Sequence, residues 1–136
     1  MKLRQSIAHM KAAYVYASLS YHLRRQVGCV IVKDNTIISI GYNGTPAGED
    51  NNCEYADGKT LPSVIHAEDN AIRKLDLDQD LIGAVLFVTT APCEKCCELI
   101  LDAGIGHVVY DDVHKYLSHT KYLQDKGVHV EQLSIS

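Results

Sequence analysis

Two β-branched segments, followed by a regular alternation of strand and helix patterns, constrain the fold of this chain more than any other feature. The segments VGCVIV (27–32) and TIISIGY (36–42) are joined by KDN, which is typical of a hairpin turn. Downstream, the helical patterns are HAEDNAIRKL, CEKCCELILDAG and KYLSHTKYLQDKG, and the strand patterns are AVLFVTT, HVVY and VHVEQL. A hairpin followed by this alternation predicts an α/β fold, with a five-stranded mixed sheet covered by helices on both faces.

The N-terminal segment predicts one more helix, ahead of the hairpin. Apolar residues recur there at spacings of three and four, which indicates an amphipathic helix: Leu3, Ile7, Met10, Tyr14, Ala17 and Tyr21. The element order is therefore α-β-β-α-β-α-β-α-β. A chain of 136 residues suits one domain of common size, so we expect residues 1–136 to form a single domain.

Composition and charge exclude several classes of protein. Hydrophobic residues make up 46% of the chain and charged residues 22%, as in ordinary soluble proteins. The net charge of −4 argues against a nucleic-acid-binding surface, which is normally basic. No apolar run approaches the roughly 20 residues that span a bilayer, and the first residues lack the features of a signal peptide. We therefore expect a cytoplasmic protein that binds neither membranes nor nucleic acid.

The segment PCEKC carries two cysteines with the spacing of a metal-binding pair or a redox-active pair. Cys93 and Cys96 stand three residues apart at a predicted helix start, so both thiols can share a face. The helix dipole favours thiolate there. Cys97 could also reach that face, but the Cys-x-x-Cys spacing favours Cys96 as the partner of Cys93. We expect the side chain of Cys97 to be packed in the protein interior. Cys29 alternates inward on a strand and is expected in the core.

The segment HAEDN places a histidine two residues before a glutamate. His66 and Glu68 can converge only where a helix begins, and Ser63 is the predicted cap of that helix. One histidine and two cysteines supply three zinc ligands, and three protein ligands with one open position are typical of a catalytic zinc site. Glu68 is then free to act as general acid and base on a water at the open position.

The two segments together form a known combination. H-x-E followed by P-C-x-x-C marks the zinc-dependent nucleobase deaminases. The sequence meets each term of this pattern, in the same order. The remaining histidines lack a partner pattern and are interpreted as ordinary core or surface residues: His9, His22, His107, His119 and His129, besides His114, which is treated below.

Over residues 27–130 the chain resembles the deoxycytidylate (dCMP) deaminases of the cytidine deaminase-like superfamily. The resemblance rests on VGCVIV, GYNGTPAG (41–48) and Asn52–Cys53, together with HAE and PCEKC. The zinc motifs alone indicate only the superfamily, and GYNGTPAG is the segment that distinguishes the dCMP deaminases within it. The resemblance implies the three-layer α/β/α cytidine deaminase-like fold and the conversion of dCMP to dUMP and ammonia, which supplies thymidylate synthesis.

The resemblance also implies roles for individual residues. The zinc ligands would be His66, Cys93 and Cys96, the proton shuttle Glu68, and a sugar contact Asn43. In the reaction, Glu68 passes one proton to ring N3 of cytosine and later a second proton to the departing amino group.

Further substrate contacts are expected around the reacting base and the phosphate. The backbone N–H of Ala67 lies at a helix start, where it can hold the O2 atom of the base. Thr90 and Ala91, at a strand end, can offer a carbonyl to the amino group. Arg25 is favoured over Arg24 for the phosphate because it lies two residues before the first strand. His114 stands where the family usually has a tyrosine, and its protonated form would contact phosphate.

Regulation and assembly follow from the same resemblance. Family members are often hexamers, activated by dCTP and inhibited by dTTP, so we expect a homo-oligomer with a hexamer favoured. The allosteric nucleotide, accompanied by Mg²⁺, would bind at a subunit contact near the GYNGTPAG loop, at Gly41, Tyr42, Gly44, Thr45 and Asn52.

Three other interpretations remain open from the residues. Another zinc nucleoside or nucleobase deaminase, acting on cytidine or on tRNA adenosine, would share the zinc motifs, although GYNGTPAG argues against it. A non-catalytic zinc-binding module has no need of an unliganded carboxylate such as Glu68. A Cys-x-x-Cys redox protein would cycle its thiols and bind no zinc.

Overall fold

The computed structural model describes residues 1–22, 24–46, 51–54, 56–57, 59–76, 78–113 and 117–135. The helices are α1 (Leu3–Ala17), α2 (Ala67–Arg73), α3 (Glu94–Ala103) and α4 (Leu117–Asp125). The strands are β1 (Gly28–Lys33), β2 (Thr36–Tyr42), β3 (Val85–Thr90), β4 (His107–Asp112) and β5 (His129–Gln132). The predicted element order is confirmed.

The five strands form one mixed sheet in the order β2-β1-β3-β4-β5. β1 pairs antiparallel with both β2 and β3, whereas β3, β4 and β5 run parallel. The predicted KDN turn is a two-residue hairpin loop: Asp34 and Asn35 have φ angles of 52° and 59°. Two residues with positive φ are what a type I′ turn requires, and its twist matches that of the flanking strands.

Helices cover both faces of the sheet. On one face, Met10 and Ala13 of α1 pack against alternate strand residues such as Val30 and Phe87. On the other face, residues of α2, α3 and α4 pack against the intervening strand residues, among them Ile31 and Val88. Because β1 and β3 are buried on both faces, their sequences are continuous apolar runs. The predicted three-layer α/β/α fold is confirmed.

The apolar pattern predicted for the first helix is partly wrong. α1 ends at Ala17, so Tyr21 lies beyond the helix, and Leu3 and Tyr21 are 65% and 63% exposed. The stripe that α1 buries is Met10, Ala13 and Ala17.

None of the helices in the described part of the chain is long and apolar enough to span a membrane.

A close approach between β2 and α2 fixes the position of the second helix. A Cβ atom on Gly41 would lie 2.3 Å from the carbonyl oxygen of Ala67 and 2.6 Å from the backbone nitrogen of Ala71. Only glycine permits this distance, since real Cβ atoms essentially never come within 3.0 Å of another heavy atom. Gly41 therefore places the start of α2 against the sheet.

Candidate active site

The starts of α2 and α3 bring three metal-ligating side chains together. Nδ1 of His66 lies 3.3 Å from Sγ of Cys93 and 3.3 Å from Sγ of Cys96. The three ligand atoms lie within 4.8 Å of one another, a group that could hold a metal ion. Cys96 is buried, Cys93 half-buried and His66 exposed, so the group opens on one side.

Each of the two helices begins at a residue of the metal-ligating group instead of at a usual capping residue. The N-cap of α2 is His66 and that of α3 is Cys93, and neither side chain makes a capping hydrogen bond. The prediction of Ser63 as the cap of α2 is wrong, because α2 begins only at Ala67 and His66, with an extended backbone (φ −71°, ψ 156°), is its N-cap. Extended N-caps leave both side chains free to turn towards each other instead of back to their own helices.

The electrostatics of the thiol pair suit a bound dication. A hydrogen bond from the Cys96 thiol lowers the pKa of Cys93 to about 3, with a further hydrogen bond from His66 in the same direction. The pKa of Cys96 is raised instead, first by its hydrogen bond to Cys93 and then by burial. The Cys93 thiolate therefore forms readily, and its negative charge opposes ionisation of the Cys96 thiol. A nearby dication would stabilise both thiolates and remove this opposition.

The donor set and its spacing fit zinc. Zinc–sulfur and zinc–nitrogen bonds of about 2.3 and 2.0 Å place tetrahedral ligand atoms roughly 3.5 Å apart. The observed separations of 3.3 Å between His66 and each cysteine are close to that value. Two thiolates balance the charge of Zn²⁺, and three protein ligands leave a fourth position open.

Glu68 lies in the first turn of α2, beside this group, and is only 4% exposed. Burial raises the pKa of Glu68 to about 7, although its backbone hydrogen bond and the charge of His66 act in the opposite direction. A carboxyl group with a pKa near neutrality can both accept and donate a proton at the operating pH. The predicted convergence of His66 and Glu68 at a helix start is therefore found.

A cavity of about 490 Å³ opens beside the thiol and imidazole group. His66, Glu68 and Cys93 line it, and so do five of the six residues expected around the substrate: Arg25, Asn43, Ala67, Thr90 and Ala91. The sixth, His114, lies outside the described residues. The residues expected to bind an effector lie elsewhere among the described residues, at the end of β2 and after it: Gly41, Tyr42, Gly44, Thr45 and Asn52.

Asn43 holds the segment that carries Arg25. Its side-chain oxygen accepts the Val27 N–H at 2.9 Å, and its amide nitrogen donates to the Arg25 carbonyl at 2.7 Å. Asn43 is buried, whereas Arg25 is half-buried at the cavity wall. One side chain thereby fixes two backbone groups of the wall.

His22, interpreted from the sequence as an ordinary core or surface residue, is a buried residue with hydrogen-bonding partners at the cavity wall. His22 lines the cavity with 1% of its surface exposed, and its Nε2 lies 2.8 Å from Oγ1 of Thr60. Its Nδ1 accepts the Arg25 N–H at 3.0 Å and lies 3.3 Å from the Glu54 carboxylate. Burial lowers the pKa of His22, Glu54 opposes this shift, and Arg25 adds to it.

Lys59 and Thr60 are further wall residues that the sequence did not single out. They lie in the segment between β2 and α2, whose polar composition gives no periodic signal. The length of that segment was the one sequence feature that pointed to a functional role.

Two cysteines outside the ligand group are in the core, as predicted. Cys29 and Cys97 are fully buried. Burial raises the pKa of Cys97 to about 12 and that of Cys29 well above its usual range. Both thiols therefore stay protonated at neutral pH.

The sequence profile of the cytidine and deoxycytidylate deaminase zinc-binding region matches residues 3–111 of the chain. The chain belongs to this family. The profile covers α1 to β4, and therefore includes both helix starts that carry the ligand group.

Several members of the deaminase family are similar to this chain. The deoxycytidylate deaminase of Saccharomyces cerevisiae is 36% identical, covering 93% of the chain and 44% of that protein. The deoxycytidylate deaminase of Mycobacterium phage D29 is 42% identical, over 64% of the chain and 78% of that protein. The chain spans less than half the length of the yeast protein.

A solved structure extends the similarity to the whole fold. The dCMP deaminase of cyanophage S-TIM5, in complex with dCMP and dUMP, has a TM-score of 0.91 and 38% identity. The match covers 98% of this chain and 99% of that one. The cytidine deaminase-like fold is thus confirmed.

Proposed function

We propose that this chain is a zinc-dependent dCMP deaminase that hydrolyses dCMP to dUMP and ammonia. The observation that carries the proposal is the buried carboxyl of Glu68 beside a His-Cys-Cys group, at the wall of a cavity large enough for a nucleotide. The similarity to the cyanophage enzyme, whose structure contains dCMP and dUMP, supports the same substrate here. Supply of dUMP for thymidylate synthesis follows from that reaction.

His66, Cys93 and Cys96 would hold the zinc ion. When bound, zinc supplies Lewis acidity that makes a water molecule at the open position a nucleophile at neutral pH. Glu68 accepts one proton of the attacking water and donates it to N3 of cytosine. It then takes the remaining proton from the hydroxyl group added at C4 and delivers it to the amino group, which leaves as ammonia while C4 becomes a carbonyl. A carboxyl pKa of about 7 suits each of these transfers.

The base is oriented by backbone groups at the same wall. Ala67 is the first residue of α2, so its N–H has no partner within the helix and can donate to O2 of the base. Thr90 is the last residue of β3 and Ala91 follows it; both line the cavity, where a backbone carbonyl can accept a hydrogen bond from the 4-amino group. Asn43 contributes the sugar contact while it holds the Arg25 segment.

Two cationic side chains support a phosphorylated substrate. Arg25 and Lys59 line the cavity from separate segments, and His22 links those segments. Nδ1 of His22 accepts a hydrogen bond from the Arg25 N–H, and Nε2 of His22 contacts the hydroxyl of Thr60, which is next to Lys59 in the chain. A phosphate group on the substrate would interact with both cations, whereas an unphosphorylated nucleoside carries no anionic group for them to bind. His114 remains a prediction for the same phosphate.

A substrate panel on the zinc-loaded protein tests the proposal. Ammonia release is followed with dCMP, CMP, deoxycytidine, dCTP, cytosine and a tRNA anticodon hairpin. Preferential turnover of dCMP supports the assignment. Preferential turnover of another cytosine compound or of the hairpin would retain zinc chemistry and overturn the substrate. Zinc binding without any turnover would leave a non-catalytic zinc module.

We propose regulation and assembly as part of the same function. The single domain, the cytoplasmic location, the homo-oligomer with a hexamer favoured, and activation by dCTP with Mg²⁺ and inhibition by dTTP remain predictions. Repeating the panel with each triphosphate, and measuring molar mass by light scattering, tests regulation and assembly. Rates unchanged by either triphosphate would overturn the regulatory part and leave the catalytic part intact.

A further inference from the structure

Three metal-ligating side chains meet at the beginnings of β4 and β5, apart from the cavity. His107 opens β4, His129 opens β5, and Glu131 follows two residues later. The cavity wall at Thr90 is next to the far end of β4, where Thr90 pairs with Asp112. At about 3.3 Å per residue, the length of β4 separates the two places by roughly 16 Å.

The strand register puts the three side chains on one face of the sheet. His107 is the direct partner of His129 in the parallel ladder, and Val109 is the partner of Glu131. Residues two apart on a strand point to the same face, so His107, His129 and Glu131 share the face of Val109. The α1 helix packs on that face chiefly over β1, β2 and β3, and the side chains of His129 and Glu131 are exposed.

The distances within this group suit a small cation after minor side-chain rotation. Nε2 of His107 lies 2.8 Å from Oε1 of Glu131, and the two imidazole centroids are 4.6 Å apart. One ligand atom from each residue lies within 4.8 Å of the other two. Nitrogen and oxygen ligands of tetrahedral zinc stand roughly 3.3 Å apart, a spacing that exposed side chains can reach.

We propose that His107, His129 and Glu131 form a second zinc-binding site, which ties the edge strand β5 to β4. Two imidazoles and one carboxylate are a donor set that zinc uses in proteins, whereas magnesium and calcium prefer oxygen ligands alone. The set contains no thiolate, which distinguishes it from the His-Cys-Cys group. Because β5 is the last strand of the sheet and only four residues long, a metal bridge at its start would oppose its fraying.

Metal titration of the 136-residue chain tests this site. The protein is saturated with Co²⁺, and bound cobalt is counted by elemental analysis in the wild type, His129→Gln, Glu131→Gln and the control His9→Gln. His9 is a histidine of α1 that contacts Asn35 instead. A parallel titration with Zn²⁺ follows the thermal unfolding midpoint of each protein.

The expected result is one more equivalent of metal in the wild type and in His9→Gln than in the other two variants. The additional equivalent of cobalt should not increase the thiolate-to-cobalt charge-transfer absorption, because the site contains no thiolate. Excess Zn²⁺ should raise the thermal unfolding midpoint only in the proteins whose site is intact. Equal metal content in all four proteins would overturn the proposal, and so would a second equivalent with thiolate absorption. Neither result depends on whether the protein deaminates dCMP.

Discussion

Nδ1 of His22 accepts a hydrogen bond from the backbone N–H of Arg25 at 3.0 Å. Because Nδ1 is an acceptor, the proton of the neutral ring is on Nε2, which donates to Thr60. The ring thus joins the two segments that carry Arg25 and Lys59. Under the proposed function, His22 would act as a positioning residue for the phosphate-binding side chains, and we do not expect it to contact the reacting base.

We expect His22→Leu to raise the KM for dCMP about tenfold and to change kcat less than about threefold, since the loss of one buried hydrogen-bond network is worth about 1.4 kcal/mol. His22→Asn keeps an acceptor close to the position of Nδ1 and should recover most of the affinity. Steady-state kinetics of both variants, with zinc content as a control, measure this. An equal fall in kcat for both would contradict the positioning role.

The lowered pKa of His22 predicts a pH-dependent stability. The folded protein favours the neutral ring, so the unfolded chain binds a proton more readily. The contribution of His22 to the free energy of unfolding is fully present above the unfolded pKa of about 6.5 and is lost as the pH falls towards the lowered folded pKa. Glu54, Arg24 and Arg25 are the charged groups that surround the ring.

Denaturant unfolding of the wild type and His22→Asn between about pH 5 and pH 8 measures this contribution. Asparagine does not titrate, so the difference between the two proteins should depend on pH below about 6.5 and be constant above it. A constant difference over the whole range would contradict the buried, neutral state of His22.

The candidate metal ligands could be brought together from the sequence because each one stands at the start of a helix that its own segment predicts. His66 and Cys93 are the N-caps of α2 and α3, so local patterns suffice to bring Glu68 and Cys96 beside them. The element order and the mixed five-stranded sheet could be predicted for a similar reason, since the hairpin turn and the later alternation are local signals.

The partners of His22 could not be predicted in this way. Thr60 lies 38 residues away in an irregular segment, where no periodicity relates the two positions. The same holds for His107 and His129, which meet only because the register of β4 and β5 pairs them. A sequence pattern fixes which face of a strand a residue occupies, but not its neighbour across the ladder.

Glu68→Gln should retain bound zinc and the unfolding midpoint but lower kcat by about 10²- to 10⁴-fold, because glutamine can neither accept nor donate the transferred proton. The matched control is Glu98→Gln on α3, where the carboxylate contacts Tyr122 at the surface. Activity within about threefold of the wild type is expected for that control. A Glu68→Gln protein with wild-type kcat would refute the assigned proton transfers.

Cys96 and its neighbour Cys97 should respond differently to substitution. Cys96→Ala removes a ligand atom 3.3 Å from His66, so we expect loss of tightly bound zinc and of activity. Cys97→Ala removes a fully buried core thiol and should cost about 1 kcal/mol of stability while zinc content stays at the wild-type level. Metal analysis after dialysis against a weak chelator distinguishes the two, and the reverse pattern would assign the ligand to Cys97.

Gly41→Ala should disturb the active site through the backbone alone. The added Cβ would lie 2.3 Å from the Ala67 carbonyl oxygen, so α2 must shift at the residues that follow His66 and include Glu68. Overpacking of this kind costs about 1–3 kcal/mol, and we expect lower stability together with a lower kcat. Gly106→Ala is the control, because a Cβ there meets no atom within 4 Å. Unfolding curves and kcat measured on both variants test this, and equal behaviour of the two would show that Gly41 does not hold α2 in place.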